Sequence, residues 1–361
     1  MSEIIRATHK ISFETMITID GSHGEGGGQI LRLSVALSAV TRNPIRVINI
    51  RNNRPNPGLK PQHVIAIHSV AKICHAQVEG NKVGSSEITF YPGDIKGGSY
   101  AFDIGTAGSI TLVLQACIIP ALFANHKIDI SITGGTDVKW APPWDYFRHV
   151  FFSHLQNMKI NVQGHLIRRG YYPRGGGKAT VVIDPGGTFS PLVPRDTQNT
   201  QVKGIVNIAH LPSHIGGRIQ KSATETLAAQ QISSDIDIVI EQSSSVGVGL
   251  VLWTSHGSIL GADCLGEKGI SSEKVGSLAA SRLLSEIQSG ATLDIYAVDQ
   301  MLPYLALSGK GSFFCRDISG HASTEMWLLK MFLKKDFLIQ QSGVLKKVTV
   351  VDSRDASISS V

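Results

Sequence analysis

Cysteine is scarce in this chain of 361 residues, and its four cysteines lie far apart. Cys74, Cys117, Cys264 and Cys315 form no CxxC pair and no cysteine–histidine group at the spacing of a zinc site. The pattern argues against a zinc module and against a small secreted domain held together by disulfides. We therefore predict buried, reduced thiols in a cytoplasmic protein.

Long apolar segments are missing as well. The longest apolar run, at about residues 112–123, is interrupted by Gln115 and Pro120, and the first ten residues are polar with mixed charge. A transmembrane helix needs about 20 consecutive apolar residues, and a secretory signal needs an apolar stretch near its start. The sequence thus predicts a soluble protein and excludes an integral membrane protein.

Acidic residues are absent from two stretches, residues 26–78 and 146–183. The first stretch contains seven lysines and arginines and the second contains six. Such one-sided charge favours a polyanionic partner, for example a nucleic acid. A solvated basic face without a partner is the alternative, and charge alone does not separate the two.

The common nucleotide-binding and hydrolase motifs are also missing. Glycines at 21–28 do not form a Rossmann fingerprint, because Gln29 stands where its third glycine would fall. Gly177-Lys178 is not a Walker A motif, since Ala179 follows and no glycine lies five residues before Gly177. No nucleophile elbow of a Ser-His-Asp hydrolase is found. A nucleotide would have to be held by another arrangement.

Strand and helix patterns alternate along the chain and are separated by glycine-rich turns. Units of the order β-α-β-α-β-β begin near residues 16 and 99, and a similar strand, turn and helix recur near Gly216-Gly217 and near Gly320. This irregular repeat predicts an α/β fold of α+β layers, with helices packed on sheets.

A cluster of proline and glycine at residues 184–195 indicates a domain boundary. The earlier pattern resumes at residues 293–296. We therefore predict a large discontinuous domain of repeated units over residues 1–194 and 290–361, and a small inserted α/β domain over residues 195–289. Residues 1–14 are expected to be a loose leader, and the chain after residue 351 a frayed tail.

His321 is the histidine best placed for chemistry. An apolar strand pattern at residues 312–315 precedes it, and apolar residues at helical spacing follow it, so His321 lies on the turn that opens a helix. The positive end of a helix favours a neutral imidazole, which is both a base and a nucleophile. A histidine that merely caps the helix is the alternative.

A glycine-rich loop at residues 21–28 is the second candidate. Its glycines allow the backbone to approach a ligand, and the helix after it favours an anion such as phosphate. Glu25 adds a carboxylate that can face a metal ion or a hydroxyl group. A loop charge without a ligand is the alternative for Glu25.

Two further segments are candidates for binding a ligand. Arg51 and Arg54 lie three residues apart in a loop rich in proline and glycine, and this pair can clamp phosphate oxygens together with Lys60 and His63. An exposed basic loop is the alternative. Asp299-Gln300, predicted to open a helix over residues 301–307, can bind a base or a ribose, or simply cap the helix.

Four segments together resemble the RNA 3′-terminal phosphate cyclase family. They read D-G-x-x-G-E-G-G-G-Q-I-L-R at 20–32, R-x-x-R-x-x-P-G-L at 51–59, G-x-A-G-S-x-T-L-V-L-Q at 105–115 and S-x-T-G-G-T-D at 131–137. The resemblance runs from about residue 15 to 350. It implies a large domain of repeated β-α-β-α-β-β units, similar to enolpyruvyl transferases, with a small inserted domain.

The resemblance also implies roles for matched positions. The histidine that becomes adenylylated falls on His321, within the turn Gly320-His321. Glu25 falls near a divalent cation, magnesium or manganese, and near the triphosphate of ATP. The positions near the nucleotide are Gln115, Tyr296, Asp299 and Gln300. The positions that hold phosphates, of ATP or of the RNA end, are Arg32, Arg51, Arg54 and His63.

The implied activity is that of a ligase-class enzyme. It converts an RNA 3′-phosphate into a 2′,3′-cyclic phosphate with ATP, through a covalent adenylyl-histidine and an RNA-adenylate. The resemblance leaves a homodimer open. One alternative is a non-catalytic cyclase-like protein of ribosome assembly, which has no need of His321. Another is transfer of an enolpyruvyl group on the same scaffold.

Overall fold

The computed structural model describes residues 16–186, 189–193 and 201–353. The strands are β1 (Ile17–Asp20), β2 (Ile45–Ile48), β3 (Gln77–Glu79), β4 (Ile88–Tyr91), β5 (Gly98–Asp103), β6 (Ile128–Gly134), β7 (Val162–Arg168), β8 (Gly177–Ile183), β9 (Val202–Ala209), β10 (Ser234–Ile240), β11 (Gly247–Thr254), β12 (Gly261–Leu265), β13 (Ser312–Cys315), β14 (Lys335–Ser342) and β15 (Leu345–Asp352). The predicted leader lies outside the described residues, as does the predicted tail beyond residue 353.

Helices fill most of the connections between these strands. They are α1 (Gly28–Thr41), α2 (Pro61–Cys74), α3 (Ile110–Ala121), α4 (Trp144–Tyr146), a π-helical turn (Phe147–Phe151), α5 (Phe152–Asn157), α6 (Ser213–Ala228), α7 (Ser272–Ser289), α8 (Ile295–Ser308) and α9 (Gly320–Leu333). Among the described residues, no helix combines the length and the apolar character needed to span a bilayer. All four cysteines are buried and unpaired, as predicted.

The predicted β-α-β-α-β-β unit is found in two sheets of the same topology. The first has the strand order β1-β2-β4-β3 and the second β5-β6-β8-β7. In each sheet the first two strands are parallel and the other pairs are antiparallel. Burial alternates along β6, where Ile128, Ile130 and Ile132 all face the core, as expected for a strand with one buried face. The predicted α/β layered fold is therefore confirmed.

The third sheet, β13-β15-β14, has three strands among the described residues, and a single parallel bridge between Leu192 and Gly311 stands where the first strand of the unit would pair. Residues 293–296, where the pattern was expected to resume, instead contain the N-cap and the first two residues of α8. Asp294 caps that helix, since its carboxylate accepts hydrogen bonds from the backbone N–H groups of Tyr296 and Ala297, both at 3.0 Å. Asp299 and Gln300 consequently lie inside α8, and the prediction that they open a helix was wrong.

The fourth sheet, β10-β9-β11-β12, has α6 and α7 packed against it and a separate apolar core that includes Val206, Leu250 and Leu283. These elements fall within the predicted inserted domain. Its boundary at residue 194/195 lies outside the described residues and stays a prediction. Gly216-Gly217, predicted as a turn, lies inside α6, because the apolar spacing of that helix begins earlier than the glycines suggested.

A buried ionic cluster connects the second sheet to the fourth. The guanidinium group of Arg169, 2% exposed, donates to Asp137 at 3.0 Å, to Asp145 at 2.6 Å and to Glu241, at the end of β10, at 3.2 Å. Asp137 and Asp145 are buried as well. One cation thus compensates two carboxylates that have little access to water.

Removal of that cation should destabilise the fold strongly. For Arg169→Met we expect the free energy of unfolding to fall by about 3–5 kcal/mol, because both carboxylates lose their partner in a buried place. Urea unfolding measures the change. Arg218→Met is the matched control, since its pair with Glu273 at 2.6 Å is exposed and should matter little. Equal losses in the two variants would show that burial of the cluster is unimportant.

Candidate active site

His321 lies in the first turn of α9, as the sequence predicted. The side chain of Ser319 caps this helix by accepting a hydrogen bond from the N–H of Ala322 at 3.0 Å. Gly320, directly before His321, leaves room for Glu25, because a Cβ there would lie 2.4 Å from a carboxylate oxygen of Glu25 and would require that side chain to move. The imidazole is 43% exposed, so it is reachable from solvent yet held in a defined place.

Gln29 fixes the tautomer of this imidazole. Its amide nitrogen Nε2 donates to Glu325 Oε1 at 2.6 Å and to the carbonyl oxygen of His321 at 3.3 Å. A carbonyl only accepts, so the amide oxygen of Gln29 must be the atom that faces His321 Nδ1. Nδ1 therefore carries the proton, and the lone pair of the neutral ring is on Nε2.

Glu25 approaches the ring from the opposite side. Its Oε2 lies 3.2 Å from His321 Nε2, and Arg54 Nη2 lies 3.5 Å from the same oxygen. The loop can place the carboxylate there because Gly24 and Gly26 both have left-handed backbone conformations, with φ of 55° and 56°. Glu25 and Arg54 are thus both brought to the reactive nitrogen.

The electrostatic surroundings keep His321 uncharged. Burial is the largest effect and lowers its pKa, and the positive charges of Arg32 and Arg54 lower it further. The negative charge of Glu25 acts in the other direction and raises the pKa. The net shift is downward, so the neutral ring prevails at physiological pH.

A cavity of about 620 Å³ opens beside the imidazole. Its walls come from α1, α3, α8, α9, the segment after β6, β12 and α7. The predicted site residues that line it are Arg32, Gln115, Tyr296, Asp299, Gln300 and His321. Residues predicted from four separate parts of the chain therefore meet at one site.

On the cavity wall formed by α1, α8 and α9, the guanidinium group of Arg32 lies among the carboxyl groups of Asp299 and Glu325. Burial lowers the pKa of Arg32 to about 10, although Glu325 and Asp299 oppose that shift. Burial raises the pKa of Asp299, and the charge of Asp294 raises it further. Burial also raises the pKa of Glu325, and there the charge of Asp299 adds to the effect. This wall is therefore less negative than its composition suggests.

Arg51 and His63 are predicted site residues that do not line the cavity. Nη1 of Arg51 donates to the carbonyl oxygens of Asn56 and Gly58 at 2.7 and 3.1 Å, so this arginine also holds its own loop. His63 Nδ1 accepts from the N–H of Lys60 at 3.1 Å. Burial, with the nearby cations, lowers the pKa of His63 to about 3, which leaves a neutral ring with its Nε2–H beside Gly28.

Sequence reasoning missed Gln29 and Glu325 as site residues. Gln29 had been noted only as a break in a glycine motif. Glu325 follows His321 by four residues on a helix, and that spacing places two side chains on one face. The spacing was thus a signal for Glu325. Lys139 and Glu267, paired at 2.6 Å, and the 93% exposed Trp140 also line the cavity without any sequence signal.

Comparison with known proteins gives a consistent result. The family model described as RNA 3′-terminal phosphate cyclase matches residues 23–339. A protein of that name from Pyrococcus furiosus is 45% identical over 334 residues, which cover 92% of this chain and 97% of the relative. One from Nitrosospira multiformis is 46% identical, covering 92% and 96%, and one from Methanosarcina barkeri is 43% identical, covering 93% and 100%. The chain belongs to the RNA 3′-terminal phosphate cyclase family.

Proposed function

We propose that this enzyme converts the 3′-terminal phosphate of RNA into a 2′,3′-cyclic phosphate, with ATP as the second substrate and His321 as the nucleophile. One observation supports this most directly: Gln29 holds the proton of His321 on Nδ1, so that the lone pair of Nε2 is available beside a cavity large enough for a nucleotide. Exposure of the ring gives a phosphate access to that lone pair.

In the first step Nε2 attacks the α-phosphorus of ATP. A P–N bond forms, the bond from that phosphorus to the bridging oxygen of the β-phosphate breaks, and pyrophosphate leaves. The ring gains positive charge as it attacks, and Gln29 stabilises this charge by accepting the Nδ1–H hydrogen bond. Arg32 and Arg54 stabilise the negative charge on the phosphates.

In the second step an oxygen of the RNA 3′-phosphate attacks the adenylyl phosphorus and releases His321. The product is an RNA-adenylate with a mixed anhydride. The neighbouring 2′-hydroxyl then attacks the RNA phosphorus, loses its proton and expels AMP, which closes the cyclic phosphate. Because this last step is intramolecular, it needs mainly orientation and a good leaving group.

The nucleotide roles of the cavity residues are part of this proposal. Gln115, Tyr296, Asp299 and Gln300 would bind the base and the ribose, and Gln300 is the clearest donor–acceptor candidate. Its Nε2 donates to the carbonyl of Tyr296 at 2.7 Å, whereas its buried Oε1 has no hydrogen-bond partner. A ligand N–H or O–H would satisfy that oxygen. Arg51, Arg54 and His63, which do not line the cavity, would hold the RNA phosphate.

A divalent cation, magnesium or manganese, fits this site through Glu25. Among the described residues no group of three or more His, Cys, Asp or Glu side chains is placed to hold a metal. A cation bound by one carboxylate and by the phosphates of ATP is the usual arrangement for magnesium. When bound, it would neutralise charge on the phosphates. A homodimer and a cytoplasmic location stay predictions, which sedimentation and cell fractionation test.

Incubation with α-labelled ATP and magnesium or manganese tests the proposed function. We expect label on the protein that is stable in base and labile in acid, as a phosphoramidate is, and its transfer to RNA that ends in a 3′-phosphate. Absence of label on the wild-type protein would favour the non-catalytic, RNA-binding alternative. Enolpyruvyl transfer is disfavoured by the family match.

The pH dependence of labelling follows from the charges around His321. The rate should fall at low pH with a midpoint below 6.5, the ordinary pKa of histidine, because only the neutral ring attacks and its pKa is lowered. Glu25→Gln should move this midpoint to still lower pH, since Glu25 raises the pKa. Rates measured from pH 4 to 8, roughly the range of histidine titration, test both statements. A midpoint that rises in the variant would contradict the assigned electrostatics.

A further inference from the structure

The connection between β7 and β8 exposes an aromatic ring among unpaired cations. We call residues 168–178 the hairpin tip. The side chain of Tyr172 is 77% exposed, and Arg168, Arg174 and Lys178 are exposed around it. Within the described part of the chain none of these three cations takes part in an ion pair. Arg168 and Lys178 are register partners across the hairpin, so their backbones lie side by side.

Three hydrogen bonds fix the conformation and the position of the hairpin tip. The ring of Tyr171 is buried, and its hydroxyl donates to Asn207 Oδ1 at 2.7 Å. The N–H of Gly175 donates to the Tyr171 carbonyl at 2.8 Å, and the N–H of Arg174 donates to Ser245 Oγ at 3.2 Å. The exposed ring therefore projects from a fixed turn, and a ligand that stacks on it would have little backbone to order.

Close contacts connect the hairpin tip to the second glycine turn, residues 105–109, to which the proposed chemistry gives no role. A Cβ on Gly175 would lie 2.7 Å from the carbonyl oxygen of Thr106 and 2.8 Å from the Cα of Ala107. On the far side of this turn, the N–H of Ser109 donates to Gln62 Oε1 at 3.3 Å. Gln62 is the neighbour of His63 in α2.

The same line of contacts continues to the nucleophile. A Cβ on Gly28 would overlap the ring of His63, and one on Gly27 would lie 3.6 Å from His321 Cε1 and 3.5 Å from Arg54 Nη2. His321, the glycine loop, α2, the second glycine turn and the hairpin tip are therefore successive neighbours. The track starts where the 3′-phosphate must be and ends at an exposed aromatic ring.

Basic side chains outnumber acidic ones along this track, and Glu25, at its start, is paired with Arg54. Residues 146–183, which include the hairpin tip, contain no acidic residue. Near the second glycine turn, Asp103 is exposed, and its Oδ1 accepts a hydrogen bond from the N–H of Gly105 at 2.8 Å. Glu241, at the end of β10, is paired with Arg169. Free cations with one exposed ring are the features that bind single-stranded nucleic acid, through phosphate contacts and base stacking.

We propose that the RNA strand leading to the reacting 3′-phosphate crosses the second glycine turn and binds at the hairpin tip, where Tyr172 stacks on a base and Arg168, Arg174 and Lys178 contact phosphates. This proposal rests on the proposed function, because it takes the RNA end to lie beside His321. The hairpin tip would then be a second RNA-binding region, remote from the reacting atoms. It would bind without preference for the base sequence, and only strands long enough to reach it would gain affinity.

The experiment compares Tyr172→Ala with the wild-type enzyme on two substrates, a dinucleotide and a strand of about ten nucleotides, both with a 3′-phosphate. For the long strand we expect KM to rise about tenfold, which corresponds to about 1.4 kcal/mol, with kcat nearly unchanged. For the dinucleotide we expect no change. Labelling of the variant by ATP alone should equal that of the wild type, so failure of the proposed function is recognised separately.

Variants that remove positive charge from the hairpin tip provide a second test of the proposal. Arg168→Gln combined with Lys178→Gln should weaken binding of the long strand and reduce the slope of log KM against log salt by about 1.4, since each phosphate contact on a single strand contributes about 0.7. Lys221→Gln combined with Lys310→Gln removes the same charge from exposed positions off the track and should leave the slope unchanged. Equal effects of Tyr172→Ala on both substrates, or no effect on the long strand, would overturn the proposal.

Discussion

His321→Ala is expected to abolish labelling of the protein by ATP and to reduce RNA cyclisation by about 10⁴-fold or more, because the variant lacks the side chain proposed to accept the adenylyl group. His321 Nε2 lies beside the cavity, 3.2 Å from Glu25 Oε2, and Gln29 accepts the hydrogen bond from Nδ1–H on the other side of the ring. Loss of the ring removes the nucleophile and leaves only the weak effect of the surrounding arginines.

His214→Ala is the matched control for this variant. His214 is the second residue of α6, as His321 is the second residue of α9, and its side chain is exposed. The control should retain full labelling and full cyclisation. Labelling that persists in His321→Ala, at a rate comparable to that of the control, would mean that another residue carries the adenylyl group.

Gln29→Met is expected to lower the labelling rate by about 10²-fold while the protein stays folded. Methionine has a similar size but offers no hydrogen-bond acceptor to Nδ1, so the proton of the neutral ring is free to move to Nε2 and occupy the attacking atom. The loss should appear in the rate of the chemical step and not in the KM for ATP. Labelling at saturating ATP separates the two.

Nitrogen NMR of the His321 ring gives a readout that a merely structural role would not change. The wild-type ring should show the Nδ1–H form, and the variant a mixture of both tautomers. Gln220→Met serves as the control, since Gln220 also uses its amide Nε2 on a backbone carbonyl, that of Ile236, away from the site. A variant that keeps the Nδ1–H form and yet loses activity would contradict the proposed role of Gln29.

Much of the fold followed from local sequence patterns. The period of apolar residues and the glycine turns predicted two complete β-α-β-α-β-β units, and both exist. The errors occurred where local signals conflict with tertiary packing. Gly216 and Gly217 suggested a turn but lie in α6. Asp299 was predicted to open a helix, whereas Asp294, five residues earlier, caps that helix and Asp299 lies inside it. A cap is recognised only once the first turn of the helix is known.

Site residues that belong to a linear sequence motif could be predicted. Contacts between site residues that are far apart in the sequence could not. The glycine loop and the turn at His321 were visible in the sequence. The hydrogen bonds from Gln29 to His321 and to Glu325 connect residues 292 and 296 positions apart, which no periodicity reveals. Arg51 was visible in a linear motif, but the motif did not show that its Nη1 donates hydrogen bonds to carbonyl oxygens of its own loop.

The most direct test is the identity of the bond between protein and AMP. After reaction with ATP and rapid removal of pyrophosphate, peptide mass spectrometry should place one adenylyl group on His321, and nitrogen–phosphorus coupling in the labelled protein should assign the bond to Nε2. An adenylyl group on Nδ1, on a lysine or on another histidine would contradict the account, since the hydrogen bond to Gln29 leaves only Nε2 free to attack.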